Sequence, residues 1–313
     1  MHGGGEGARA DAADGFTRAT VLSSSPLSPA VRRLVLQLHE EEEEEQGAGR
    51  FSYEAGQWVD FFVAGDRALE GAVGGYSMCA PPSGQAFSWR RELELAVKAS
   101  RHPAARWVHD PERCKPGASV RVRPGGSFAL SRADAEGAAL FVAGGIGVTA
   151  LAAMAGELCE RWGARRGRAA AAAGGGGPRR AAMLYSARSA EDLALLAPLR
   201  AWAARAAAEA EREGAAPLTL QLHVTGGGGG GEEERGRRED DDGRVAWRRG
   251  RIRPGDVRAA VDALVAPAAG GEVGGGGVGV FVCGPPAMTD ELAAAAAEHP
   301  RVGQGRVYTE RWW

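Results

Sequence analysis

The chain has 313 residues, 44% hydrophobic and 25% charged, and its 38 Lys and Arg against 40 Asp and Glu give a net charge of −2. This composition fits a globular protein with room for two domains, and the near-balance of charge gives no overall field for nucleic acid or an anionic membrane surface. The four cysteines, Cys79, Cys114, Cys159 and Cys283, stand far apart with no CxxC pair, which argues against a metal centre or a disulfide framework.

Residues 1–15 are rich in Gly and Ala, carry Glu6, Asp11 and Asp14, and are expected to be disordered. They have no apolar core of a signal peptide and are too acidic for a transit peptide, so the compartment stays open. Residues 16–132 read as an antiparallel β-barrel, because runs at 30–38, 58–63 and 93–98 alternate apolar and polar residues between Gly, Pro and Ser. The run Glu40 to Glu45 falls between two of these strands and reads as a solvated hairpin insertion. No run is long and apolar enough to span a bilayer.

Residues 133–313 change to strand–helix alternation, the pattern of a Rossmann-like parallel sheet covered on both faces. Strands are expected at 138–143, 181–186, 218–224, 278–282 and 306–309, with helices through Met154 and Leu158, over 191–212 and 254–265, and ending near His299. Stretches near 164–180, 226–243 and 268–277 are Gly- and Ala-rich or highly charged and read as disordered insertions between elements.

Two glycine turns follow the most apolar strand runs. In the first, Gly144, Gly145, Gly147, Val148 and Thr149 open a helix, so backbone N–H groups and a helix amino terminus can meet a pyrophosphate. Its spacing is not GxGxxG, and alone it reads equally as a plain turn. The second, Cys283, Gly284, Pro285, Pro286 and Met288, leaves the strand extended and starts a helix at a proline, with a thiol at the strand end. Both turns lie at carboxyl ends of strands, where open α/β sheets bind nucleotides.

These motifs, with Tyr185-Ser186-Ala187-Arg188 between them and an aromatic ending, occur in the order found in the ferredoxin–NADP reductase superfamily, which the chain resembles from about residue 16 to 313. Within that superfamily the segments 74–79, 102–109 and 310–313 are most similar to oxidoreductase-NAD-binding-domain-containing proteins. The resemblance implies an FAD-binding barrel of the FR type and a domain for NAD or NADP. Tyr76 would pack on the flavin and the Ser77 hydroxyl would lie near its reactive N5. Val97 and Lys98 would line its ribityl and phosphate groups, and the loop Gly125, Gly126, Ser127 would hold its pyrophosphate. Cys283 and Glu310 join Ser77 as the expected catalytic residues, with Glu310 assisting proton delivery and Trp312 stacking over the isoalloxazine. A tail docked through its tryptophans is the other reading of that ending.

Two positions depart from the family pattern. The Arg of its Arg-x-Tyr-Ser motif is Gly74 here, which removes a charge-assisted phosphate contact that Lys98 or Arg123 would have to replace, and leaves FMN open beside FAD. Ala150 stands where the nucleotide turn usually has Pro. Ser186 and Arg188 suit a 2′-phosphate, while Arg188 also reads as a surface charge before a helix, so NAD and NADP both stand. The implied activity is hydride transfer from NAD(P)H to flavin, with electrons passed to an acceptor, protein or small molecule, that the sequence does not name. The alternative is an NAD(P)-binding sensor or assembly module without stable flavin, which Gly74 favours. A mitochondrial location rests on resemblance alone.

Overall fold

Alternating side chains in the amino-terminal half become six antiparallel strands: β1 (Thr17–Ser28), β2 (Val31–His39), β3 (Trp58–Val63), β4 (Val73–Ser77), β5 (Glu92–Lys98) and β6 (Ser119–Gly125). A computed structural model describes residues 15–39, 51–65, 69, 71–130, 137–167, 180–210, 218–226, 244–266 and 277–311. The chain divides into two compact units, Met1–Ala129 and Leu130–Trp313.

In the first unit the strand order is β4-β3-β6-β1-β2-β5. A bridge between Met78 and Leu95 and the hydrogen bond from Cys79 N–H to the Glu94 carbonyl (3.0 Å) bring β4 back to β5 and close the barrel. On β3 the alternation is strict: Val59, Phe61 and Val63 are buried, while Trp58, Asp60 and Phe62 stand on the other face. Val59, Phe61, Leu34, Leu36, Leu93, Leu95, Val120 and Val122 form the barrel core. Burying such side chains contributes about 1.5–3 kcal/mol each before chain entropy is set against it. Strand β1, with Ser23, Ser24, Ser25 and Pro26 in sequence, carries little apolar signal. Pairing with β2 and β6 holds it extended, through register shifts at Val21/Ser23 and Pro26/Ser28. Helix α1 (Pro103–Val108) starts at Pro103, and His102 caps it by accepting the Ala104 N–H at Nδ1 (3.3 Å).

The second unit is a six-stranded sheet, every neighbouring pair of which is parallel. Its strands are β7 (Ala138–Gly144), β8 (Arg180–Ala187), β9 (Leu218–Val224), β10 (Val245–Arg249), β11 (Val278–Gly284) and β12 (Val302–Arg311), in the order β10-β9-β8-β7-β11-β12. Central strands β7 and β11 are buried at every residue, as continuous apolar runs in a doubly covered sheet must be. Leu140, Val142, Leu184, Val280 and Val282 pack one face against helices α4 (Pro254–Val265) and α5 (Pro286–Ala297). On the other face Phe281 lies between Phe141 (5.6 Å) and Tyr308 (4.8 Å, stacked). Helices α2 (Val148–Gly167) and α3 (Leu196–Ala210) complete the unit.

The structure differs from the expected elements in three places. Helix α2 runs through Gly167, so residues 164–167 are helical rather than part of an insertion. Helix α3 starts at Leu196 rather than residue 191, because the Ser189 hydroxyl takes up the Asp192 N–H and carboxylate and makes a turn there. Strand β10, in which Val245 alone is buried, is held by pairing along β9. The glutamate run, the Gly-rich stretches at 168–179, 227–243 and 267–276, residues 1–14, Trp312 and Trp313 lie outside the described residues. Among the described residues no helix is long and apolar enough to cross a membrane.

Candidate functional site

After β7 the chain turns toward β8, and after β11 it turns the other way, toward β12. Their shared carboxyl end is therefore a topological switch point, uncovered by a crossing connection. Both glycine turns sit there. Gly144 ends β7, Gly145-Ile146-Gly147 makes one tight turn, and Val148 opens α2. Gly284 ends β11, Pro285 stays extended at φ −57° and ψ 140°, and Pro286 opens α5.

The glycines do two different jobs. A Cβ on Gly147 would stand 2.6 Å from the Cys283 carbonyl carbon and 2.8 Å from the Gly284 nitrogen, so one turn lies on the peptide of the other. Gly144 and Gly284 meet backbone to backbone, with a Gly284 Cβ 3.1 Å from the Gly144 Cα, and the Met288 thioether covers both. Gly145 is different. It has φ +55° and nothing within 4 Å of its Cβ position, so the backbone is bare at that point. Each turn is tied to its helix by a threonine: Thr149 Oγ1 donates to the Ile146 carbonyl (2.9 Å) and buried Thr289 Oγ1 donates to the Gly284 carbonyl (3.2 Å).

Cys283 is fully buried and in register with Ala143 on β7 and Glu310 on β12. Register partners share a face, so the half-buried Glu310 lies on the same side of the sheet as the thiol. Arg311, the next residue, is fastened to Asp290 of α5 through Nε (2.9 Å). Ser186, near the end of β8, is buried in register with Gly144 and with His223 of β9, and Arg188 is exposed just beyond the strand. His223 was not among the residues expected at the site. It is 2% exposed, and burial holds its imidazole below the usual value, with Asp256 opposing in part.

The barrel brings a second group together. Trp58 is the middle of a row, in register with Ser77 on β4 and Gly125 on β6. The Ser77 hydroxyl is buried and has no hydrogen-bond partner. The Trp58 indole lies along the glycine loop: a Cβ on Gly126 (φ +90°) would meet Cδ1 at 2.7 Å, and one on Gly125 would meet Cη2 at 3.1 Å. Gln57 donates its amide to the Gly126 carbonyl (2.9 Å), and Ser127 is exposed beside it. Tyr76 packs edge-on against Phe61 (5.6 Å) with its hydroxyl end over Gly74, where a Cβ would stand 2.8 Å from the oxygen. Burial pushes that phenol well above its usual value. Arg123 binds Asp60 through Nε (3.2 Å) and a terminal nitrogen (2.7 Å) and lies over the Phe16 ring (4.6 Å). Val97 is buried, its carbonyl held by His109 Nε2 (3.0 Å), and Lys98 is exposed at the end of β5. Trp58 is the residue that sequence reading missed here, and its outward place in the β3 alternation was the available signal.

An antiparallel barrel followed by a parallel sheet with glycine turns at its switch point is the architecture of the ferredoxin–NADP reductase superfamily, and the chain has it. It is similar to oxidoreductase NAD-binding domain-containing protein 1: the bovine protein is 28% identical over 297 residues, 94% of this chain and 80% of that protein. The human protein is 38% identical over 135 residues, 42% of this chain and 38% of that one. No family model matches the chain. Among solved structures, a ferredoxin NADP+ reductase from Neisseria gonorrhoeae aligns with TM-score 0.60 and 12% identity over 95% of this chain and 99% of that one. A cytochrome P450 reductase from Amycolatopsis aligns with TM-score 0.61 and 21% identity over 95% of this chain and 69% of that one. At these identities the likeness is one of fold.

Gly147→Ala must push two backbones apart and is expected to lower the unfolding free energy by about 2 kcal/mol or more, against about 1 kcal/mol for Gly145→Ala, where only φ is strained. Urea denaturation of both variants checks this, and equal losses would refute the backbone contact. His223 binds its proton more readily in the unfolded chain than in the folded one, so its contribution to stability is present above the unfolded pKa and falls as the pH drops through it. Between about pH 7.5 and pH 5.5 the melting temperature should therefore fall less steeply in His223→Gln than in the parent chain. Calorimetry across that range measures the difference.

Proposed function

We propose that the chain is a flavin-dependent NAD(P)H oxidoreductase, taking hydride from NAD(P)H through FAD to an electron acceptor whose identity stays open. The observation that carries this reading is the switch point. There a bare left-handed glycine, Gly145, opens above two interlocked turns, and Cys283 and Glu310 stand in register beside it. The residues present fit the nicotinamide dinucleotide. Gly144, Gly145, Gly147 and the first turn of α2 offer close backbone approach to a pyrophosphate, and Ser186 and Arg188 lie at the next strand end for its ribose. Arg188 would give preference to a 2′-phosphate, Ser186 alone to a free ribose hydroxyl.

On the barrel, the buried and unpartnered Ser77 hydroxyl fits the polar edge of a flavin ring. Bound flavin supplies two-electron uptake and one-electron release, chemistry that no side chain here carries. What the chain itself contributes is position and proton handling. Rigid backbone at the turns fixes the Cys283 strand end, and register delivers the Glu310 carboxylate to the same face, where it can hold or pass a proton. The names of the relatives, oxidoreductase NAD-binding domain-containing protein 1, support the same reading.

The test is anaerobic mixing of the protein with FAD and either NADH or NADPH, following the flavin absorbance band. Bleaching at a rate proportional to protein concentration is expected. A rate no greater than that without protein, while NAD(P)H still binds, would replace this reading by a nucleotide sensor without turnover. If the 2′-phosphate is read by Arg188, Arg188→Ala should raise the KM for NADPH about tenfold and leave that for NADH unchanged. Steady-state kinetics with both nucleotides decide it.

A further inference from the structure

Among the described residues of the barrel, the groups assigned to the flavin pyrophosphate by the superfamily pattern and by the sequence are replaced, covered or engaged, apart from the exposed Lys98 and Ser127. Position 74, where the superfamily pattern has arginine, is glycine, and the space of its side chain holds the hydroxyl end of Tyr76. The glycine loop that should cradle phosphate instead lies under an indole, since Trp58 lies against both Gly125 and Gly126, and the Gln57 amide donates to the Gly126 carbonyl. Both glycines are thereby explained without a ligand. Arg123, two residues before the loop, is committed in two hydrogen bonds to Asp60 and stacked on Phe16. Lys98 is left at the end of β5, exposed, and an exposed lysine contributes far less than a bidentate arginine. The ring end of the site is the opposite case, because the Ser77 hydroxyl is 96% buried with no partner, in register with Trp58.

We infer that the barrel holds flavin by its ring system alone, so that FAD, FMN and riboflavin bind with similar affinity and the flavin is an exchangeable substrate rather than a resident group. The inference rests on the proposed oxidoreductase reading and narrows its substrate class to the isoalloxazine. The reaction then balances as NAD(P)H, one proton and oxidised flavin giving NAD(P)+ and dihydroflavin. The hydride carries both electrons, the proton comes from solvent, and the dihydroflavin leaves to reduce the acceptor.

The experiment is a fluorescence titration of flavin-free, full-length protein with FAD, FMN and riboflavin separately. The three dissociation constants are expected within about fivefold of one another, because a gripped pyrophosphate adds tenfold or more per charge-assisted contact. FAD binding about fiftyfold or more tighter than riboflavin overturns the inference and leaves the oxidoreductase reading standing. No binding of any flavin overturns both. Gly74→Arg displaces only the far end of a flexible tyrosine and should tighten FAD about tenfold relative to riboflavin. Trp58→Ala, which uncovers Gly125 and Gly126, carries the same expectation should the arginine variant not fold. An unchanged FAD-to-riboflavin ratio in a folded variant overturns the assignment of the lost grip to these side chains.

Discussion

The carboxyl edge of the parallel sheet depends on one contact between two backbones. The Gly147 Cα rests on the Cys283–Gly284 peptide, and no side chain intervenes to adjust the distance. That contact joins two turns far apart in sequence into one surface and fixes where α2 begins relative to β11. It also fixes Glu310, because β12 takes its register from β11 and Cys283 stands opposite Glu310. Packed backbone is stiff, so this contact adds to the sheet pairing that holds the strand ends. Thr149 and Thr289 serve the same end, each turning its hydroxyl back onto the turn it follows.

The glycine turns of the two units are built from opposite materials. In the parallel-sheet unit glycine leaves main chain bare at Gly145 and lets two backbones meet at Gly144, Gly147 and Gly284. In the barrel, glycine makes room for aromatic rings belonging to the protein itself: Tyr76 over Gly74 and Trp58 over Gly125 and Gly126. The same residue type therefore means an open cradle at Gly145 and an occupied one at Gly126. Only the neighbours of each glycine distinguish the two cases, and those neighbours lie on other strands.

This difference explains what was legible in the sequence. Strands β7 and β11 are continuous apolar runs closed by their own glycine turns, and α4 and α5 begin at Pro254 and Pro286, so each could be read from a short window. The two-domain order followed from the change from short alternating strands to strand–helix alternation near residue 133. What was not legible depends on pairing. Strand β1, with its serines and proline, and strand β10, with Arg248 and Arg249, are extended because β2, β6 and β9 hold them so. Helix α3 loses its first turn to a Ser189 hydroxyl that prefers a local hydrogen bond. Trp58 could be placed on the outer face of β3 from alternation alone, but its position between Ser77 and Gly125 is a matter of register across three strands.

The two kinds of glycine turn have different consequences for how selection acts on them. Contacts made by backbone at the switch point persist through most side-chain changes, so that surface is hard to lose by single substitutions other than at Gly144, Gly147 and Gly284. The barrel surface is set by the rotamers of Tyr76 and Trp58, and Gly74 permits the first of these. An arginine at 74 and the present tyrosine rotamer cannot coexist, since its Cβ would already meet the ring. Phosphate grip and the packing of Tyr76 on Phe61 are thus alternatives within one small volume. The chain has the second, which adds apolar contact to the barrel where an arginine would have left a charge waiting for a ligand.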